Sequence, residues 1–151
     1  MPEGADQHNE FIFSGELGEH WFGCKATGDG AEDIFSGAVV YLSGTAMSEI
    51  TVGIKASGST AEQLKVLGYN TEAIAGTATG FVSFGGYIAS LPVYGGVSQD
   101  DWLKMSDSGG LGGYAETYTT IGEGRIFAIA KEDQTGSGHG TVEAFVFPWR
   151  I

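Results

Sequence analysis

The stretch RIFAIAKEDQTGSGHGTVEAF, residues 125–145, decides how this chain folds. An apolar run is followed by an acidic exit, a loop of small residues and a second apolar run. Such runs, separated by Gly and Ser, are typical of two strands joined by a turn. A phosphate-binding loop needs a helix that begins directly after the glycines, and the sequence predicts none here. We therefore interpret GSGHG (136–140) as a hairpin turn and not as a ligand site.

The same pattern occurs sixty residues earlier, in KVLGYNTEAIAGTATGFVSF (65–84). The ungapped overlay matches identical residues at Glu72 and Glu132, Gly76 and Gly136, Gly80 and Gly140, and Val82 and Val142. Each copy is preceded by an apolar run that enters a polar turn, VVYLSGT (39–45) or WLKMSDS (102–108). Self-similarity at a fixed spacing indicates a repeated structural unit. The sequence predicts two similar halves, about 36–92 and 96–151.

Short apolar runs divided by Gly, Ser, Asp and Asn make up most of the remaining chain, which is typical of a β-sandwich or small barrel. A helix is predicted only at 59–68, with two turns at most. Gly85-Gly86 is predicted to bend the long run 80–93. We expect an all-β fold, a small β-barrel or sandwich at 36–151, with strands at 10–15, 20–26, 38–44, 49–56, 65–71, 80–93, 101–107, 124–132 and 140–149.

Residues 1–35 differ from the rest because aromatic and apolar residues alternate there with acids and glycines. Two interpretations stay open: the first hairpin of the β-domain, or an extended arm that adds a strand to a neighbouring chain. Tryptophans elsewhere are expected to be core anchors first and interface anchors second. The candidate contact residues are Phe11, Ile12, Phe13, Trp21, Trp102 and Trp149.

Composition limits the possible partners. With 42% hydrophobic residues, the 151-residue chain can bury a core, and its net charge is −12 with only 7 Lys and Arg. A surface of that sign repels phosphate backbones and anionic lipids, so we expect neither nucleic acid nor membrane as a partner. No apolar stretch reaches the ~18–20 residues that span a bilayer. The start, MPEGADQHNEF, lacks the basic and apolar regions of a secretory signal.

The histidines do not form a metal-ligating pattern. His8, His20 and His139 are far apart and show neither HxH nor HExxH spacing. The acids Asp29, Glu32 and Asp33 could bind a calcium ion, but they lack the alternating carboxylates of an EF-hand loop. A solvated acidic loop is the favoured interpretation, and we predict no metal and no cofactor.

No nucleophile has the sequence context of a catalytic residue. No Ser lies in a GxSxG motif, and the single cysteine, Cys24, lies in a predicted strand with no His nearby in the sequence. Cys24 is expected to be a small buried apolar residue. We predict that the protein has no catalytic residues and is not an enzyme.

The second half resembles the head-decoration, or cement, proteins of tailed bacterial and archaeal viruses. Members of that group combine a strand of the form GDLLKL with a strand, GIALED, a small-residue loop and GTVEVLL. Here Asp101–Met105, Ile126–Asp133 and Gly140–Phe145 are similar to these three segments. The first half repeats the pattern more loosely, and the chain departs from it in its final FPWRI and its long aromatic N-terminal region.

The resemblance implies a non-catalytic structural protein of the virion, made in the host cytoplasm and placed on the outer capsid surface. It further implies a homotrimer that binds the major capsid protein and stabilises the capsid. The departures leave open another virion component, such as the base of a head fibre. The alternative function is a carbohydrate- or receptor-binding β-module, as in a head fibre or an adhesion component, whose exposed aromatic side chains stack on sugar rings.

Overall fold

A computed structural model describes residues 23–46, 49–54, 60–108 and 110–151. This part of the chain is nearly all β-structure, which confirms the predicted fold class. Its strands close into two barrels, each of five strands. The first barrel contains β1 (Gly23–Gly28), β2 (Val39–Ala46), β3 (Glu49–Gly53), β4 (Val66–Asn70) and β5 (Thr79–Ser83). The second contains β6 (Gly86–Tyr94), β7 (Trp102–Met105), β8 (Ala115–Thr117), β9 (Ile126–Ala130) and β10 (His139–Val146).

The two barrels share one topology. The strand order is β1-β3-β2-β4-β5 in the first barrel and β6-β8-β7-β9-β10, read around the closed sheet, in the second. In each barrel the first strand pairs parallel with the third and antiparallel with the fifth. The remaining neighbours pair antiparallel. The predicted division into two similar halves is therefore confirmed.

The boundary between the halves differs from the predicted one. The barrels comprise 23–83 and 86–146, whereas the sequence suggested 36–92 and 96–151. The strand β1 falls in the region 1–35, for which an extended arm and a first hairpin of the β-domain both stayed open. It belongs to the first barrel, because it pairs with β5 over five residues. The strand β6 belongs to the second barrel, because it pairs with β10. The predicted bend at Gly85-Gly86, where Gly86 has φ +105°, is thus the link between the barrels.

The repeated loops are hairpin connections, as predicted. GSGHG lies between β9 and the start of β10, and these strands pair antiparallel. Within the loops, the first barrel has an isolated bridge from Ile34 to Ile74, and the second has one from Val97 to Gln134. A Cβ on Gly80 would lie 2.6 Å from Cγ1 of Ile74, and one on Gly140 would overlap the side chain of Gln134. The repeated glycines therefore leave room for the bridging residue.

The barrels pack against each other through a shared core. Inward-facing residues such as Val40 and Val82 form a separate core in the first barrel. Outward-facing residues Val39 and Tyr69 join the core of the second barrel instead.

The predicted helix at 59–68 shortens to α1 (Thr60–Gln63), because the chain must already pair as β4 at Val66. Buried Gln63 donates from Nε2 to the carbonyl of Met105 at 3.0 Å, which ties α1 to β7.

Candidate interaction surface

The candidate contact residues divide into two groups. Phe11, Ile12, Phe13 and Trp21 lie outside the described residues. Trp102 begins β7, and Trp149 follows β10 near the end of the chain. The structure brings these two tryptophans to one outer face of the second barrel, on either side of Phe147.

The strand register places four large apolar residues in a row across this face. Trp102 is opposite Ile129, Ile129 is opposite Phe145, and Phe145 is opposite Tyr87. Residues directly opposite on neighbouring strands point to the same side of the sheet. Their chain neighbours Leu103, Ala128 and Ala144 face the core, so the row faces outward.

Two further aromatic residues extend the row. The Phe147 ring lies 6.0 Å from Trp102 and 5.9 Å from Phe145, and Trp149 stacks on Phe147 at 5.8 Å with an interplanar angle of 15°. Large side chains remain open to solvent: Tyr87 is 45% exposed, Phe145 39% and Trp149 59%. A contiguous apolar patch of this kind on a folded protein typically marks an interaction site. We call the set Tyr87, Trp102, Ile129, Phe145, Phe147 and Trp149 the aromatic face.

A groove with aromatic walls runs along the junction of the barrels. One part, with a volume of about 470 Å³, is lined by Phe35, Tyr114 and His139 together with small polar residues. The Tyr114 ring lies 5.3 Å from Phe35 and 4.7 Å from His139. A second part, of about 380 Å³, shares Ser36 and Ser90 with the first. Rings beside hydroxyl groups are what a sugar-binding site uses.

Buried Asn70 lines the second part of the groove. Its Nδ2 donates to the carbonyls of Phe35 and Glu72, while its Oδ1 accepts no hydrogen bond within the described residues. An unsatisfied buried acceptor costs about 1–3 kcal/mol.

The acidic loop is tied to the backbone. Asp29 Oδ1 accepts from the N–H of Ala31 at 3.0 Å, and Asp33 Oδ1 accepts from the N–H of Gly76 at 2.8 Å. Glu32 is exposed. Within the ranges that the structure describes, no three His, Cys, Asp or Glu side chains are grouped so that they could hold a metal ion. The hydrogen bonds instead give two of the three acids a role in fixing the loop between β1 and β2.

Cys24 lies in β1 and is 1% exposed. Burial raises the pKa of its thiol to about 11, because the apolar interior disfavours the thiolate. A thiol held in its protonated form is a poor nucleophile. This environment agrees with the expectation of a buried apolar residue.

A buried ion cluster lies on the second barrel, away from the groove. Lys104 is 6% exposed, and its Nζ is 2.8 Å from Asp107 Oδ2 and 3.0 Å from Glu116 Oε1. Burial alone would lower the pKa of Lys104, but hydrogen bonds to the two carboxylates raise it above its usual value. The hydrogen bond from Lys104 lowers the pKa of Asp107. The cluster joins β7 to β8 and has the character of a structural ion pair.

Only two residues of the aromatic face, Trp102 and Trp149, were predicted as contact residues from the sequence. Tyr87, Ile129 and Phe145 were not predicted. The alternation of Phe145, Phe147 and Trp149 beyond the core residues of β10 was the available signal, since every second residue of a strand faces the same way. Strand pairing then decides that Tyr87 joins them.

Comparisons with known proteins give a likeness in fold. No family model matches the chain, and no curated protein matches its sequence. The fold is similar to that of the head fibre gp8.5 N base in bacteriophage phi29, with a TM-score of 0.56 and 10% sequence identity. The match covers 85% of this chain and 96% of that chain. At this identity the likeness shows a similarity of fold alone. No helix in the described part of the chain is long and apolar enough to cross a membrane.

Proposed function

We propose that this protein is a structural component of a virus particle that binds major capsid subunits on the outer surface of the head. The observation that carries the proposal is the fold, which matches a phage head fibre base over nearly that chain's whole length. The resemblance of the second half to head-decoration proteins, found from different residues, supports the same class of function.

The architecture suits a passive role in an assembly. Two closed barrels with a shared core form a stiff body. Such a body needs only complementary surfaces, because many copies bound to one shell act together through multivalency. The net charge of −12 keeps the free protein soluble while copies accumulate.

We assign the capsid contact to the N-terminal segment that contains Phe11, Ile12 and Phe13. Large apolar side chains at the centre of an interface contribute most of its binding energy. The acids around them, Glu10 and Glu16, favour a capsid surface with basic residues at its rim.

Co-sedimentation with purified capsid shells tests this function. We expect the wild-type chain to pellet with shells of the virus that encodes it, and Phe11→Ser combined with Phe13→Ser to reduce the bound fraction at least tenfold. Ile121→Ser, which alters a 60% exposed residue elsewhere, is the matched control. Absence of wild-type binding to both unexpanded and expanded shells would remove the proposal.

A second candidate function, binding of a carbohydrate, is favoured by the groove between the barrels. The ring of Tyr114 and the hydroxyl groups of Ser36 and Ser90 together offer a stacking surface and polar contacts. Glycan-array binding that is lost in Tyr114→Ala, and kept in Trp102→Ala, would support this function. Absence of any glycan signal would exclude it.

A further inference from the structure

The first barrel contains a counterpart of the row in the aromatic face. Its strands β2, β4, β5 and β1 correspond by strand order to β7, β9, β10 and β6. Along them, Val39 is opposite Tyr69, Tyr69 is opposite Ser83, and Ser83 is opposite Gly23. The row Val39, Tyr69, Ser83 and Gly23 therefore corresponds to Trp102, Ile129, Phe145 and Tyr87.

The row of the first barrel is buried, whereas the row of the second barrel is partly exposed to solvent. Val39, Tyr69 and Ser83 are at most 2% exposed. The second barrel provides part of this cover: the N–H of Val39 donates to the carbonyl of Gly113 at 2.8 Å, and the Tyr69 hydroxyl donates to the carbonyl of Tyr87 at 3.4 Å. Val39 and Tyr69 also belong to the shared core. The outer face of the first barrel is thus the face against which the second barrel packs.

The equivalent row of the second barrel is more exposed. It has the aromatic residues Trp102, Phe145 and Tyr87 where the first barrel has Val39, Ser83 and Gly23. We propose that the aromatic face binds a second copy of this chain, head to tail, so that a barrel of the neighbouring copy covers the second row as the second barrel covers the first. This inference does not depend on the proposed capsid function, because it concerns the isolated chain.

The charge distribution is compatible with an apolar contact between copies and predicts how that contact responds to salt. None of the residues of the aromatic face is charged, so the centre of the contact forces no like charges together. Two chains of net charge −12 nevertheless repel each other at long range. Salt screens this repulsion, since the Debye length falls from about 10 Å at 0.1 M to about 3 Å at 1 M. Self-association should therefore strengthen with salt, whereas a partner with basic residues would bind more weakly.

A head-to-tail contact either closes into a ring or continues as a filament. The homotrimer implied by the resemblance to head-decoration proteins is one such ring. The expected mass is then about three times the 15.8 kDa of the single chain.

Light scattering of the full chain during gel filtration, at about 0.1 M and about 1 M salt, tests the inference. We expect the wild-type protein to form a discrete oligomer that is more populated at high salt, and Tyr87→Ser combined with Phe145→Ser to shift it to the mass of one chain. Ile121→Ser is the control and should keep the wild-type mass. Circular dichroism checks that each variant is folded, and Trp149→Ser, beyond the end of β10, replaces the double variant if that one unfolds.

Three results would overturn the inference. They are a wild-type chain of single mass at both salt concentrations, a folded variant that keeps the wild-type mass, and an oligomer that dissociates as salt increases. The last result would indicate a charge-driven contact. Failure to bind capsid shells would remove the proposed function but would not change these masses, so the two failures are distinguishable.

Discussion

The carboxylate of Glu132 accepts a hydrogen bond from the backbone N–H of Glu143 at 2.8 Å. The carbonyl of the same residue, Glu143, accepts a hydrogen bond from the N–H of Lys131 at 2.7 Å. The same pair of bonds joins Thr71 and Glu72 to Phe81 in the first barrel. The ladder between β9 and β10 ends at the pair Ala130 and Ala144, one residue from Glu143, so the Glu132 side chain supplies the acceptor that the N–H of Glu143 would otherwise lack. The acidic exit noted in both sequence repeats is therefore a clamp on the following strand.

Removal of this clamp should destabilise the second barrel. Glu132→Ala leaves the N–H of Glu143 without its acceptor, and we expect the free energy of unfolding to fall by about 1 kcal/mol. Glu132→Gln retains an acceptor oxygen and should lose less than half of that amount. Urea denaturation followed by tryptophan fluorescence measures both. Equal losses in the two variants would mean that charge, and not the acceptor, matters.

The glycines of the repeated loops should differ in their tolerance of a methyl group. A Cβ on Gly80 would press on Ile74, which is 1% exposed and cannot move, so Gly80→Ala should cost about 1–3 kcal/mol. A Cβ on Gly140 would press on Gln134, which is half-buried and can change rotamer. Gly140→Ala should therefore cost less, as measured by thermal unfolding. Gly138→Ala is the control, since nothing lies within 4 Å of its Cβ position.

The ion cluster at Lys104 should give the stability a characteristic pH dependence. The pKa of Asp107 is lowered below 3.8 in the fold, so its contribution is present above that pH and is lost as the pH falls through the folded value. The pKa of Lys104 is raised above 10.5, so its contribution is present below that pH and is lost as the pH rises further.

Lys104→Met tests this dependence. The variant should be about 1–3 kcal/mol less stable than the wild type near neutral pH, because Asp107 and Glu116 lose their partner. The difference should shrink in strong acid, where the carboxylates are protonated. Lys65→Met, at an exposed lysine, serves as control. A difference that stays constant between neutral and acidic pH would show that Lys104 contributes by packing alone.

Cys24 should be chemically silent in the folded protein. Because burial raises the pKa of its thiol to about 11, a disulfide reagent at pH 8 should react only after unfolding, and then with one thiol per chain. The rate of thiol modification across a denaturant series measures this. Fast modification of the native protein would mean that β1 opens without global unfolding.

Local sequence patterns were sufficient to predict most of the strands and the division of the chain into two similar halves. Apolar runs such as 38–44 and 124–132 correspond to β2 and β9, and the matched glycines of the loops have the same spatial role in both barrels. These features depend on residues close in the chain. The fold is similar to that of a phage head fibre base, and the head-decoration role stays a prediction.

Features that depend on distant pairing could not be predicted. The strand β8 (Ala115–Thr117) has only three residues in a polar stretch and exists because β7 and β6 flank it. The parallel pairing of β1 with β3 and of β6 with β8 joins segments that are not consecutive. The aromatic face likewise depends on register, since Tyr87 and Phe145 are far apart in sequence. Local patterns do not specify which strand becomes the neighbour.

Closure of the barrels affects how closely spaced copies of this chain can associate. An open sheet offers an edge onto which any extended segment of an adjacent molecule can hydrogen-bond, and densely arrayed molecules would then fuse irreversibly. In the described part of this chain each five-stranded sheet closes on itself, so neither sheet has a terminal strand. We therefore expect contacts between neighbouring copies to use side chains, so that such contacts can form and dissociate without an exchange of strands.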